Sequence, residues 1–180
     1  VLGRKGSFGK VNYSDKPVIY SVRDLTTVNA DGVEVVNHVS FDIHEGEILG
    51  IAGVENNGQS ELLDIFSGVL KSTQGKIYLK GQEITNLWPR KLRDSKMAFI
   101  PEDRYEKGLC KDMLICENMI AGYHGKKEIC KYGFINEKKM REKMDCLIEE
   151  YDIRVSDKKG FISSLSGGNA QKIIIAREFD

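Results

Sequence analysis

At 180 residues and 20.3 kDa the chain has the size of one ordinary domain. Lys plus Arg and Asp plus Glu both number 27, so the net charge is zero, which argues against a nucleic-acid partner needing a basic surface. Hydrophobic residues make up 41 % of the chain, enough for a folded core, and the longest apolar run, 48–54, is too short to span a bilayer.

Residues 1–16 are rich in Gly, Ser and Lys and read as a linker. No basic-then-apolar leader stands at Val1. Gly3, Gly6 and Gly9 are spaced one residue too widely for a kinase glycine loop, and the kinase lysine, base and metal motifs do not follow, so a kinase reading is rejected. Residues 18–25 and 33–43 are β-branched and apolar around a turn at Asn29 and Asp31-Gly32, which predicts two paired strands. Residues 47–53 read as a central strand, apolar on both faces. A helix is predicted from Gly58, with Leu62, Phe66, Val69 and Leu70 as its buried stripe. A strand at 75–79, a short helix opened by Pro89 and a strand at 97–100 stopped by Pro101 follow. From 110 to 161 the chain reads as helical; Asn136 caps a helix with Met140, Met144, Leu147, Ile148 and Tyr151 on one face.

Cys110, Cys116, Cys130 and Cys146 form no C-x-x-C, and His38, His44 and His124 do not join them at metal-ligand spacing. Free thiols in a reducing compartment, the cytosol, are the expectation.

Chemistry concentrates in three strings. The first is Gly53-Val54-Glu55-Asn56-Asn57-Gly58-Gln59-Ser60-Glu61, between a predicted strand and a predicted helix. Terminal glycines let the backbone curl its N–H groups onto an anion, and the helix adds its positive dipole end. The pattern is G-x-x-x-x-G-K-[S/T] with lysine replaced by Gln59; Ser60 supplies the hydroxyl that would ligate magnesium. Losing the lysine's charge-assisted contact costs about 1–3 kcal/mol of phosphate binding, and more in a transition state. A glycine-rich turn that binds nothing is the other reading of this string alone. The second string, Leu165-Ser166-Gly167-Gly168-Asn169, opens an apolar helix and makes a second anion site, where the dipole favours a γ-phosphate. The third is residues 97–104, an apolar strand followed by Glu102-Asp103, which can be mistaken for a magnesium-binding Walker B acid.

Together these strings resemble an ABC-transporter nucleotide-binding domain over nearly the whole chain: the second string is similar to the ABC signature, and Glu102 falls at or near the Q-loop glutamine. Residues 46–53, 57–62 and 100–104 resemble more narrowly the second ATP-binding half of the double ATPase subunit of simple-sugar and nucleoside importers, whose phosphate loop is typically degenerate. The resemblance implies an α/β P-loop NTPase fold of the ABC type, incomplete, with an antiparallel β subdomain and a helical subdomain. It divides the chain into a linker (1–16), a nucleotide-binding core with the β subdomain (17–109), a helical subdomain (110–162) and the signature with the start of its helix (163–180). It implies ATP and Mg2+ as cofactors, with Ser60 on the metal. Its partners would be a companion ABC domain of the same polypeptide, transmembrane permease subunits and, indirectly, a solute-binding protein, at the cytoplasmic membrane face. Two departures stand out. Residues 28–32 lack the aromatic that usually stacks on adenine, and Asp180 precedes the expected Walker B strand, its glutamate and the switch histidine. A chain lacking those elements is expected not to turn over ATP alone and to expose an apolar sheet edge. The alternative is a structural module that docks on a partner ATPase and permease without binding nucleotide; a phosphate-transfer enzyme, lacking lysine and base, is set aside.

Overall fold

The structure, a computed structural model, describes residues 12–54 and 57–180. The glycines of the kinase-like string, most of the predicted linker, and Glu55 and Asn56 lie outside the described residues. The chain divides into two compact units, Val1–Ser95 and Lys96–Asp180.

The first unit is built on a four-stranded antiparallel sheet in the order β2-β1-β3-β4. β1 (Val18–Val28) and β2 (Glu34–His44) are the predicted pair. Asn29 makes their turn, its side-chain oxygen accepting from the N–H groups of Asp31 (3.0 Å) and Val33 (2.9 Å). β3 (Gln74–Leu79) pairs with β1, and β4 (Gln82–Glu83) closes the edge. Val22 and Leu25 of β1, on either side of a register shift against β2, are buried in the core with Val36, Leu62, Ile65 and Ile77. α1 (Gln59–Phe66) packs on this face, its Phe66 ring meeting Tyr20 edge-on at 5.6 Å. α2 (Pro89–Asp94) carries its proline in the first turn, as predicted.

Two predicted strands are not formed. Residues 47–53 and 97–100 pair with no strand among the described residues, and Ile48, Ile51 and Ile100 are exposed. An apolar run specifies a buried strand only when neighbours satisfy its backbone groups. The predicted α1 stripe is also shorter than expected. The helix ends at Phe66, Ile65 takes a core position, and Val69 lies beyond the helix and is exposed.

The second unit is mainly helical. α3 (Ile115–Ile120), α4 (Glu137–Glu150) and α5 (Gly167–Phe179) enclose a core that includes Ile115, Met119, Met144, Leu147, Ile173 and Ile174. Asn136 caps α4 as predicted, its side-chain oxygen accepting from Lys139 N–H at 3.1 Å. Buried Asn118 pins the loop before α3: it accepts from Cys110 N–H (2.8 Å) and donates to the carbonyls of Cys110 (3.0 Å) and Leu114 (3.1 Å). A π-helical turn, Arg104–Gly108, precedes that loop. A hairpin, β5 (Cys130–Lys131) and β6 (Phe134–Ile135), stands inside the stretch predicted to be helical, because Tyr132-Gly133 supplies a tight turn that the lysine-rich composition conceals.

Candidate nucleotide site

The phosphate-loop string arrives from an irregular segment and ends on α1. Gly58 precedes the helix in a left-handed conformation (φ 84°), and a Cβ there would run into the Val35 carbonyl of β2. Only glycine meets both demands. Leu62 N–H makes the helix's first bond, to Gly58 O at 2.9 Å, so the preceding amides stay at the open end. Ser60 and Asn57 are exposed and Glu61 is half-buried. The Gln59 side chain folds back over Gly53, where a Cβ would lie 2.9 Å from its carboxamide carbon. A cavity of about 620 Å³ adjoins the loop, lined by Gly53, Asn57, Gly58 and Gln59 with Val36 and Phe41 of β2. Amides at an open helix mouth beside an exposed hydroxyl, that of Ser60, are groups that fit a phosphate and its magnesium. Among the described residues no cluster of three or more His, Cys, Asp or Glu side chains is arranged to hold a metal by itself.

The signature lies in the second unit and is held from several sides. Leu165 is sunk in the core, while Ser166 and Gly168 are exposed. α5 starts after Ser166, whose carbonyl accepts the first helical bond from Ala170 N–H at 2.9 Å, leaving the amides of Gly167, Gly168 and Asn169 at the helix mouth. Asn169 is a bracket. It donates to Ser166 Oγ (3.0 Å), and its oxygen accepts from Arg154 N–H (2.9 Å). Nothing lies within 4 Å of a Cβ built on Gly168, so this face is open.

Glu102 is exposed ahead of the π-turn. Its neighbour Asp103 caps that turn, accepting from the N–H groups of Tyr105 (2.7 Å) and Glu106 (3.0 Å). These two donors hold the Asp103 carboxyl below the ordinary carboxylate range. Both Asp103 contacts are therefore structural.

Three residues of this region, Arg104, Arg177 and Glu178, were given no role by the sequence reading. The Arg104 guanidinium covers Gly167, where a Cβ would sit 2.8 Å from Nη2; its Nε is buried without a hydrogen-bond partner among the described residues. At the other end of α5, Arg177 donates to Gly108 O (3.1 Å), Asn118 O (3.3 Å) and Glu178 (3.1 Å). Glu178 accepts from Tyr123 Oη (3.1 Å) and Phe99 N–H (3.4 Å). The segment 99–108 is thereby strapped to α5 at both ends. An adjacent Arg-Glu pair directly behind the apolar run 173–176 was the available signal.

Comparison with known proteins agrees with this arrangement. The ABC transporter family profile matches residues 36–179. The chain is 39 % identical over its whole length to the guanosine import ATP-binding protein NupO of Bacillus subtilis, covering 36 % of that protein. It is 38 % identical, with the same coverage, to the nucleoside import ATP-binding protein NupA of Lactococcus lactis. The chain thus spans about a third of the length of these curated relatives. In three dimensions it is similar to a nucleotide-free ATP-binding cassette from an ABC transporter (TM-score 0.71, 23 % identity, 91 % of this chain and 65 % of that one). It is also similar to a dimeric bacterial ABC transporter cassette (TM-score 0.66, 21 % identity, 89 % and 68 % covered). Both likenesses are of fold. With a profile match across both units and a cassette fold, the chain belongs to the ABC transporter family, as an ATP-binding domain.

Proposed function

We propose that this chain is part of the second ATP-binding cassette of a double ATPase subunit that drives import of nucleosides or simple sugars, and that its main contribution is the signature. Relatives named for guanosine, nucleoside and ribose import support the solute class. The observation that carries the reading is the signature's build: an open Ser166–Gly168 ledge, fixed by Leu165, Asn169 and Arg104 within its own unit. Ser166, Gly167 and Gly168 would complete the site built on the companion domain, with backbone amides and a hydroxyl at the helix mouth. Residues 53–60 form a weaker site. Backbone amides there would hold the phosphates, Ser60 would hold magnesium, and Gln59 would contribute hydrogen bonds without charge. The metal would neutralise phosphate charge; no acid or base in this chain is assigned a proton-transfer role. Glu102 would fall at or near the Q-loop glutamine.

The companion domain and permease are the direct partners, and the solute-binding protein an indirect one. None of the helices among the described residues is long and apolar enough to cross a membrane, in keeping with a peripheral subunit at the cytoplasmic face. The solvent-facing apolar residues of 48–54, together with the partial coverage of the relatives, support a cassette completed by further strands, and the chain by itself is expected not to hydrolyse ATP.

Two measurements test the reading. In the double-cassette protein, Gly168→Asp places a carboxylate where a γ-phosphate would lie and should reduce ATPase activity at least about tenfold; undiminished turnover would overturn the signature role and favour a docking module. Calorimetric titration of MgATP into the chain, with Ser60→Ala and Gly58→Asp alongside, tests the loop. Weak binding lost in Gly58→Asp, and made magnesium-independent in Ser60→Ala, is expected. Binding indifferent to both changes rules the loop out as the site.

A further inference from the structure

The β5–β6 hairpin carries a combination that neither the core nor the nucleotide reading uses. Its central residues, Tyr132 (φ 54°) and Gly133 (φ 84°), both have positive φ. A two-residue turn of this kind takes Asn or Gly at its first position; a tyrosine there is a strained choice. The strain secures no packing. Tyr132 is 89 % exposed and Phe134 79 %, and Ile135 beside them is exposed as well. Lys126, Lys127 and Lys131 precede them in sequence, all exposed, with Glu128 among them and Glu137 just beyond as the acids, on a chain whose overall charge is zero. Lys126 Nζ lies over the Tyr123 ring at 4.8 Å. Lys131 lies over the Tyr132 ring at 5.5 Å. The base of the hairpin is fixed: Ile129 is buried and accepts from Asn136 N–H at 2.8 Å, so the tip is held out from the unit's core.

From this we infer that the β5–β6 hairpin is a membrane-contacting tip that binds an anionic lipid surface through Tyr132 and Phe134, with Lys126, Lys127 and Lys131 on the headgroups. A lipid surface suits the tip better than a protein does. Strands of two residues offer nothing near the several hundred Å² that each side of a stable protein interface buries. Lysine is depleted from such interfaces, whereas aromatic rings flanked by lysines are the composition of the membrane–water boundary. Each lysine near an anionic surface raises partitioning by roughly fivefold, so three give a large, salt-sensitive effect.

The test uses no nucleotide, so its failure and that of the transport reading are separate. The chain is sedimented with vesicles of phosphatidylcholine containing phosphatidylglycerol, and with phosphatidylcholine alone. Binding to the anionic vesicles, weakened by salt, is expected. Both Tyr132→Ser/Phe134→Ser and Lys126→Gln/Lys127→Gln/Lys131→Gln should weaken it about tenfold or more, with unchanged thermal melts. The exposed residues of 48–54 add at most a background that these variants leave alone. As a second readout, Tyr132→Trp in a Trp88→Phe background should shift its emission to the blue on the anionic vesicles. No anionic preference, equal binding by the variants, or an unshifted tryptophan overturns the inference. Vesicle binding that survives the variants while association with solubilised permease is lost would also overturn it and assign the tip to a protein partner.

Discussion

The phosphate loop and the signature use the same device, a glycine-flanked helix mouth, yet they are built in opposite ways. α1 is eight residues long, its Gly58 is wedged against β2, and the run leading into it, 48–54, pairs with no strand among the described residues. α5 is thirteen residues long, and its mouth is held by Leu165 in the core, Asn169 on Ser166 and Arg154, and Arg104 over Gly167. One helix mouth therefore depends on structure around it, while the other is fixed by contacts within its own unit. A motif states which atoms can meet a phosphate; the surrounding contacts decide whether those atoms are already in place.

The comparison can be broken hardest at the far end of α5. Arg177→Ala removes the buried guanidinium from Glu178 and from the Gly108 and Asn118 carbonyls, and a loss of about 3–5 kcal/mol is expected from denaturant unfolding of the second unit. A loss under 1 kcal/mol would mean that the strap between α5 and 99–108 holds little. Next comes Gly58→Ala. The left-handed backbone alone costs about 1–2 kcal/mol, and β2 must yield to the new methyl, so the melting temperature and MgATP binding should both fall.

Gly168→Ala sharpens the contrast in the opposite direction. The site is open and helical, so alanine should stabilise the chain by about 0.5–1 kcal/mol while weakening the signature's action in the double-cassette protein. A destabilised variant would show that the mouth of α5 is less open than its geometry indicates. The smallest effect is with pH. Because Asp103 is held below its usual range in the folded chain, its cap on the π-turn is present above about pH 4 and lost as pH falls through the lowered value. The amide resonances of Tyr105 and Glu106 should move together in that acid range, and not in Asp103→Ala.

Local chemistry was the legible part of the sequence. Pro89 opening α2, Asn136 capping α4 and Ser166 opening α5 each depend on a residue and its immediate successors. Pairing was not legible, since the apolar runs of 47–53 and 97–100 cannot supply the strands that would satisfy them. The β5–β6 hairpin was missed for the reverse reason: its strands are too short for periodicity to register against five nearby lysines at 126, 127, 131, 138 and 139. At the site, glycine spacing disclosed both helix mouths. The cover of Arg104 on Gly167 joins residues far apart in sequence, and only the fold brings them together.

The burial of α5 has a kinetic consequence. Ala170, Ile173, Ile174, Ala176, Arg177 and Glu178 are all enclosed, so the helix faces protein on most sides toward its far end. Solvent deuterium reaches those amides only when the unit as a whole opens, whereas the amides of Gly167 and Gly168, lacking helical acceptors, exchange on the fast clock of the surface. One helix thus spans two timescales: a slow anchor, and a mouth whose amides stay open to water.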